Sequence, residues 1–298
     1  MRLFISKNKK WFGYLLFALI LTLALLYYRF PSDAIRCYLQ AEVERANPRL
    51  VLSVNRIEPR LPVGLKFIGT ELVLKDEPDK AILRSDSLLL KPHVWSLLRG
   101  KSEYSFHCLA YRGEVGGSVY FEKDRTRGSI DTEIELRDIY IGDYAYLLQL
   151  VGHSIEGTLG GTLSYKGQYK SLMDASGQAN LRLSHGRVVF LRPFLMLEGV
   201  DFDEIEIEMV LKKQEIDLTR LELKGRQLNG TLSGTITLKE VLAESSLDLR
   251  GTIEPLAEFF KSTGGILDTV DFFGQGLNRG MISFVIQGTL MDPRMKST

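Results

Sequence analysis

The sequence predicts a mainly β fold: a long curved antiparallel sheet, a half-open barrel or trough with a few short helices, preceded by an N-terminal transmembrane helix. Three observations carry this expectation. An uncharged run of 18 residues, Trp11–Tyr28, follows a basic tail. From about residue 50 onward, apolar residues recur with a period of two, the spacing of strands with one buried and one wet face. The helical stretches among those strands are too few and too short for alternating β-α units, which disfavours a parallel α/β sheet.

Composition sets the outer bounds. The chain has 298 residues, 45% of them hydrophobic and 25% charged, which argues against wholesale disorder. Its 38 basic and 37 acidic residues give a net charge of +1. A dedicated nucleic-acid binder would carry a strong basic excess, so no nucleic-acid partner is expected. Two cysteines are too few for a disulfide scaffold or a four-cysteine zinc site.

The charge is unevenly placed. Residues 1–28 hold Arg2, Lys7, Lys9 and Lys10 and no acid, a charge of +4; the remainder, with 34 basic and 37 acidic residues, carries −3. As a helix, the uncharged run would rise roughly 27 Å, enough for a bilayer's hydrocarbon core. Its apolar body is Leu15, Leu16, Phe17, Leu19, Ile20, Leu21, Leu23, Leu25 and Leu26, and Trp11, Tyr14, Tyr27 and Tyr28 fall near its ends, where amphipathic rings prefer to lie. A cleaved signal peptide would be shorter and would end in small residues, whereas this run ends in Tyr27, Tyr28, Arg29, Phe30 and Pro31. The cations Lys7, Lys9 and Lys10 place the N-terminus in the cytoplasm by the positive-inside rule. The rest of the chain then lies across the membrane, behind a single span. The next most apolar stretch, Leu88–Leu98, is too short and holds Lys91, Pro92 and His93.

Ala34–Ala46 carries Ile35, Leu39 and Val43 on one helical face. It reads as an amphipathic helix, capped by Ser32 or Asp33 and stopped before Pro48. It serves either as a stalk at the membrane surface or as packing for the sheet. The strands follow, beginning with VLSVNRIEPRL and ending with MISFVIQGTL, and they look short. The clearest is Asp203–Leu211: Ile205, Ile207, Met209 and Leu211 form an inner face, and Glu204, Glu206 and Glu208 point the other way. Short helices are expected at Tyr140–Val151 and Glu254–Thr263.

One motif recurs: GEVGGSVYF at Gly113–Phe121, GTLGGTLSY at Gly157–Tyr165 and GTLSGTITL at Gly230–Leu238, with a partial echo, QGTL, at Gln287–Leu290. The spacings are unequal, so this is no fixed-period solenoid. The motif reads as the opening of a hairpin, where glycine permits bulges and sharp bends that would curl a sheet.

Three stretches give the chain a family likeness: Leu-Pro-x-Gly at Leu61–Gly64, Lys-Pro-x-x-x-x-Leu-Leu-x-Gly at Lys91–Gly100, and Gly-Thr-Leu-x-x-Pro at Gly288–Pro293. With the anchor and the recurrent Gly-Thr-Leu strands, the chain resembles the type II secretion system protein N family over nearly its full length. That family is in turn similar to AsmA-like proteins. The resemblance implies a Gram-negative inner-membrane protein with a periplasmic β domain that contacts other type II secretion components. It brings no catalytic residue. The AsmA likeness implies a curved sheet with an apolar inner face that would cradle phospholipid acyl chains.

A search for chemistry agrees with a non-enzymatic reading. The sequence has no Walker A or dinucleotide fingerprint, no G-x-S-x-G elbow and no H-E-x-x-H pair. The four histidines, His93, His107, His153 and His185, are scattered, and neither a metal nor a cofactor is expected. Asp201–Glu208 reads as a solvated strand face. Cys37 and Cys108 keep two readings open: a disulfide tying the helix to the sheet, or two buried free thiols. The Phe272–Leu277 stretch reads as a cap on the sheet end. The expected organisation is a cytoplasmic tail over 1–10, an anchor over 11–28, a stalk or interfacial helix over 29–48 and a periplasmic AsmA-like β domain over 49–298.

Overall fold

The structure is a computed structural model that describes residues 5–61, 63–122, 128–144, 154–168, 171–194, 197–239, 241, 244–262, 277–278 and 281–297. Helix α1, Ile5–Tyr28, is 24 residues long, about 36 Å at 1.5 Å per residue. Its described apolar side chains, Trp11, Phe12, Leu15, Phe17, Ile20, Leu21 and Leu25 among them, are exposed. Among the described residues no helix is long and apolar enough to cross a membrane; the side chains of Leu19, Leu23, Ala24 and Leu26 lie outside that set.

Helix α2, Ser32–Ala46, turns back along the sheet. Its Ile35 and Leu39, with Phe30 before it, pack against Val54, Ile57 and Phe67. The packing role weighed from the sequence is therefore realised. The expected cap is not: the helix begins at Ser32, Pro31 holds the cap position, and no side chain caps it. Asp33 pairs with Arg36 at 2.7 Å instead.

The rest is one antiparallel meander. Its strands are β1 (Leu50–Pro59), β2 (Leu65–Leu74), β3 (Glu77–Pro92), β4 (Ser102–Ala110), β5 (Gly113–Glu122), β6 (Ser129–Tyr140), β7 (Ser154–Gln168) and β8 (Ser171–Phe194). They continue with β9 (Leu197–Lys212), β10 (Glu215–Gly225), β11 (Leu228–Thr237), β12 (Ser246–Pro255), β13 (Leu277–Asn278), β14 (Met281–Thr289) and β15 (Pro293–Ser297). Each strand from β1 to β12 pairs with the next, β12 pairs with β14, and β13 and β15 share the outer side of β14. The fifteen described strands do not close into a barrel, and β1 pairs on one side only. Helix α3 (Val94–Leu98) joins β3 to β4, a 3-10 turn (Ile141–Asp143) follows β6, and α4 (Ala257–Ser262) follows β12.

Two expectations change. The strands are long: β7, β8 and β9 have 15, 24 and 16 residues, against a usual five or six. The Gly157 stretch, read as the opening of a hairpin, holds a bulge instead. Gly157 and His185 have positive φ, and the β7–β8 register shifts between them without ending the ladder. Strand β4 was not legible as a strand; its inward side alternates Tyr104, Phe106, Cys108 and Ala110, residues too mixed in size and polarity to give a clean period. Of the expected helix at Tyr140–Val151, the described part forms the 3-10 turn, and residues 145–153 lie outside the described set. The helix expected at Glu254–Thr263 is α4. Phe272 and Phe273 also lie outside the described residues.

The sheet has one apolar and one polar face, and its chief clusters sit on the apolar side. Helix α2 covers the β1–β3 end. Phe259 of α4 covers Val200, Leu228, Ile253 and Phe284 at the other end. The chain exposes 21116 Å², where a compact monomer of 33.7 kDa would expose about 13,000 Å². A single layer with its apolar side partly open accounts for much of that excess.

Candidate functional site: the apolar face of the sheet

The recurrent glycine motif builds this face. Its three copies lie within β5, β7 and β11, and only the first opens a hairpin, directly after the two-residue turn Tyr111-Arg112. What they share is the fifth residue: Gly117, Gly161 and Gly234. Each stands in register between two large apolar residues of the flanking strands. The rows are Phe106–Gly117–Ile134, Leu136–Gly161–Leu181 and Leu218–Gly234–Leu249. A Cβ at any of the three would overlap a carbonyl oxygen of the next strand, that of Glu133, Asn180 or Asp248. Gly161 and Gly234 also have φ of +135° and +138°, which L side chains rarely adopt. The absent side chain lets residues two strands apart meet: Leu218 of β10 and Leu249 of β12 belong to one buried cluster with Leu247. Gly251 repeats the device between Leu232 and Phe284. The expectation that the motif opens a hairpin thus holds for the first copy alone; the second and third lie inside strands, and the fifth-position glycine packs in all three.

The inner-face residues read from β9 lie where the alternation put them. Ile205 is buried with Ile139, Ile141, Leu183 and Phe202, and Ile207 packs against that group. Met209 joins the cluster of Leu218, Leu247 and Leu249, and Leu211 is half-buried opposite Gly177. Between the two helix-covered ends, Val115, Leu136, Leu159, Leu221 and Leu223 stay partly exposed. This half-open apolar strip can hold an apolar chain or another apolar surface.

Three buried polar groups interrupt the apolar side near β2–β4. Ser85 donates to the Leu109 carbonyl at 3.2 Å, and the Cys108 thiol donates to Ser85 Oγ at 3.1 Å. Thr70 Oγ1 is buried without a partner. Burial pushes the Cys108 thiol's pKa up. Beside them the Tyr111 hydroxyl accepts the Arg84 N–H, and burial raises its pKa as well. This group spans three strands, so no local pattern announced it. Cys37 is exposed on α2, and both cysteines are free thiols; the bridge weighed from the sequence is not formed here, and of the two thiols only Cys108 is buried.

The polar face is a ladder of opposite charges. Arg182 pairs with Glu204 and Glu206 at 3.0 and 2.9 Å, Arg220 pairs with Glu206, Glu208 and Glu222, and Lys224 with Glu204 and Glu222. The acidic strand of the sequence is thus answered from β8 and β10. No group of metal-ligating side chains forms among the described residues. A shallow depression of about 620 Å³ opens there over the bulge at His185, lined by Asp138, Thr158, Asn180, Arg182 and Glu206. Its arginine is already committed to carboxylates. His107 approaches Glu114 at 3.3 Å; His93 and His185 lie apart from it, and His153 falls outside the described residues.

Comparison with known proteins adds no relative. No protein-family model matches the chain, and neither does any curated protein or solved structure.

Proposed function

We propose that this chain is a non-enzymatic, inner-membrane-anchored component of a type II secretion apparatus, with its sheet in the periplasm and in contact with other export proteins. The family resemblance supplies the system. The uncharged run after Lys7, Lys9 and Lys10 supplies the anchor and its orientation, and α1 leaves its described apolar side chains uncovered, as a membrane-embedded helix would. The observation that carries the contact role is the open meander: β1 has a neighbour on one side only. An exposed ladder of N–H and C=O groups accepts an added strand. The test is secretion in a strain lacking the protein, with a photo-crosslinker at Val51 of β1 in the wild-type background. Loss of secreted substrate and a crosslink to another export protein are expected. Unchanged secretion with normal assembly removes the reading.

A second reading has its own observation, the half-open apolar strip of Val115, Leu136, Leu159, Leu221 and Leu223. On it the protein is an AsmA-like module that holds phospholipid acyl chains. Native mass spectrometry after mild extraction decides it: co-purifying phospholipid supports the strip as a lipid site, and an empty protein counts against it.

A further inference from the structure

We propose that the β1–β2 turn and helix α3 form a second membrane contact, seated in the phospholipid headgroup layer beside the point where α1 leaves the bilayer. This rests on the reading of α1 as the anchor.

The sheet ends in two fans of turns. The β1–β2 turn, residues 60–64, and the β3–β4 connection, residues 93–101, lie at the same end, because Pro59 pairs with Leu65 and Leu65 with Leu90. The same end receives α1. Helix α2 runs antiparallel to β1: Glu44 near its C-terminus holds Lys75 at 2.7 Å beyond the far end of β2, and Gln40 donates to the Leu52 carbonyl. Ile35 and Phe30 therefore lie progressively nearer Ile57 and Phe67. Only Arg29, Phe30 and Pro31 separate the helices, so Ser32 stays within about 14 Å of Tyr28. The end of α1 is thereby held close to these two turns.

Those turns present large apolar side chains to solvent. Leu61 is 76% exposed, Trp95 77% and Leu98 73%, with Val63, Val94 and Leu97 exposed beside them. They are held firmly. The Ser96 hydroxyl donates to Glu103 Oε2 at 2.5 Å, and His93 N–H and Lys101 N–H bond to Glu103 O and Ser96 O. A soluble surface rarely keeps so many apolar groups together without a partner. The charge around them identifies the partner. Residues 60–64 and 91–101 contain Arg60, Lys91, Arg99 and Lys101 and no acid; of the carboxylates that border them, Glu103 accepts from Ser96 and Glu58 pairs with Arg56. None of these four cations has an ion-pair partner among the described residues. Apolar groups with tryptophan, flanked by Arg60, Lys91 and Arg99 and by Lys101 over the Tyr120 ring at 6.0 Å, suit an anionic headgroup layer with acyl chains beneath it.

The chain has only two tryptophans, Trp11 in α1 and Trp95 in α3, so each can be read alone. The full-length protein is reconstituted into phosphatidylcholine–phosphatidylglycerol vesicles, with or without bromine on the acyl chains near the carbonyls. In Trp11→Phe the remaining emission is that of Trp95; in Trp95→Phe it is that of Trp11. Loss of Trp95 emission in brominated vesicles is the expected result. If Trp11 is quenched and Trp95 is not, the second contact is wrong and the anchor stands. If neither is quenched, both the contact and the anchor fail.

Discussion

Gly116 and Gly117 are neighbours in β5 with opposite tolerances. A Cβ on Gly116 meets nothing within 4 Å, whereas one on Gly117 would strike the Glu133 carbonyl and the Phe106 ring. Gly116→Ala is expected to change stability by less than about 0.5 kcal/mol. Gly117→Ala should cost about 2 kcal/mol or more through overpacking. Chemical denaturation of the full-length protein compares the two. The thiols differ in the same manner. Exposed Cys37 should alkylate readily in the native protein. Cys108, buried on Ser85 with a raised pKa, should react only after denaturation, because the thiolate is the nucleophile. Mass spectrometry counts the adducts. The recurrence of glycine at the fifth motif position was legible in the sequence. Its reason was not, since the atoms that forbid a Cβ belong to the next strand.

At the scale of the element, α2 is the part whose attachment can be varied. It is held by Ile35 and Leu39 on the apolar face and by Glu44 on Lys75. Leu39→Ala removes half-buried apolar area and should cost about 1–2 kcal/mol, seen as faster hydrogen exchange in α2 and β1. The hydrogen bond and charge of Lys75 lower the Glu44 pKa. A lowered pKa means that this contribution is complete above the ordinary carboxylate range and fades as pH falls through the native value. Glu44→Gln should therefore flatten the acid limb of α2 exchange by slightly speeding exchange at neutral pH while leaving exchange below the carboxylate range nearly unchanged, a small effect because exposed pairs contribute little. The amphipathic spacing of Ile35, Leu39 and Val43 announced the helix. The choice between stalk and packing element depended on where β1 and β2 placed Val54 and Phe67.

For the whole molecule, the meander makes most contacts between sequence neighbours. The described strand pairs run in chain order from β1 to β12, and α2 and α4 cap opposite ends. Such a quasi-one-dimensional array has weak coupling between its ends. Unfolding of the full-length protein should depart from two-state behaviour. Hydrogen exchange is expected to give separate midpoints for the β1–β4 end and the β9–β12 end, with coincident midpoints as the contrary result. The polar-face ion pairs are exposed, so raising salt should move neither midpoint far.

The sequence by itself determined the address-like asymmetry of charge, the β class, the alternation on β9 and the places where glycine was needed. These are local properties: period, charge and the lack of a side chain are written in consecutive residues. Only the tertiary structure decided that broken-looking strands run on through bulges, that two thiols stay apart, that Arg182 and Arg220 answer Glu206, and that Leu61 and Trp95 share one end with α1. Each of those is a relation between residues distant in the chain, fixed by strand register and by the turn-back of α2. No single stretch of sequence carries that information.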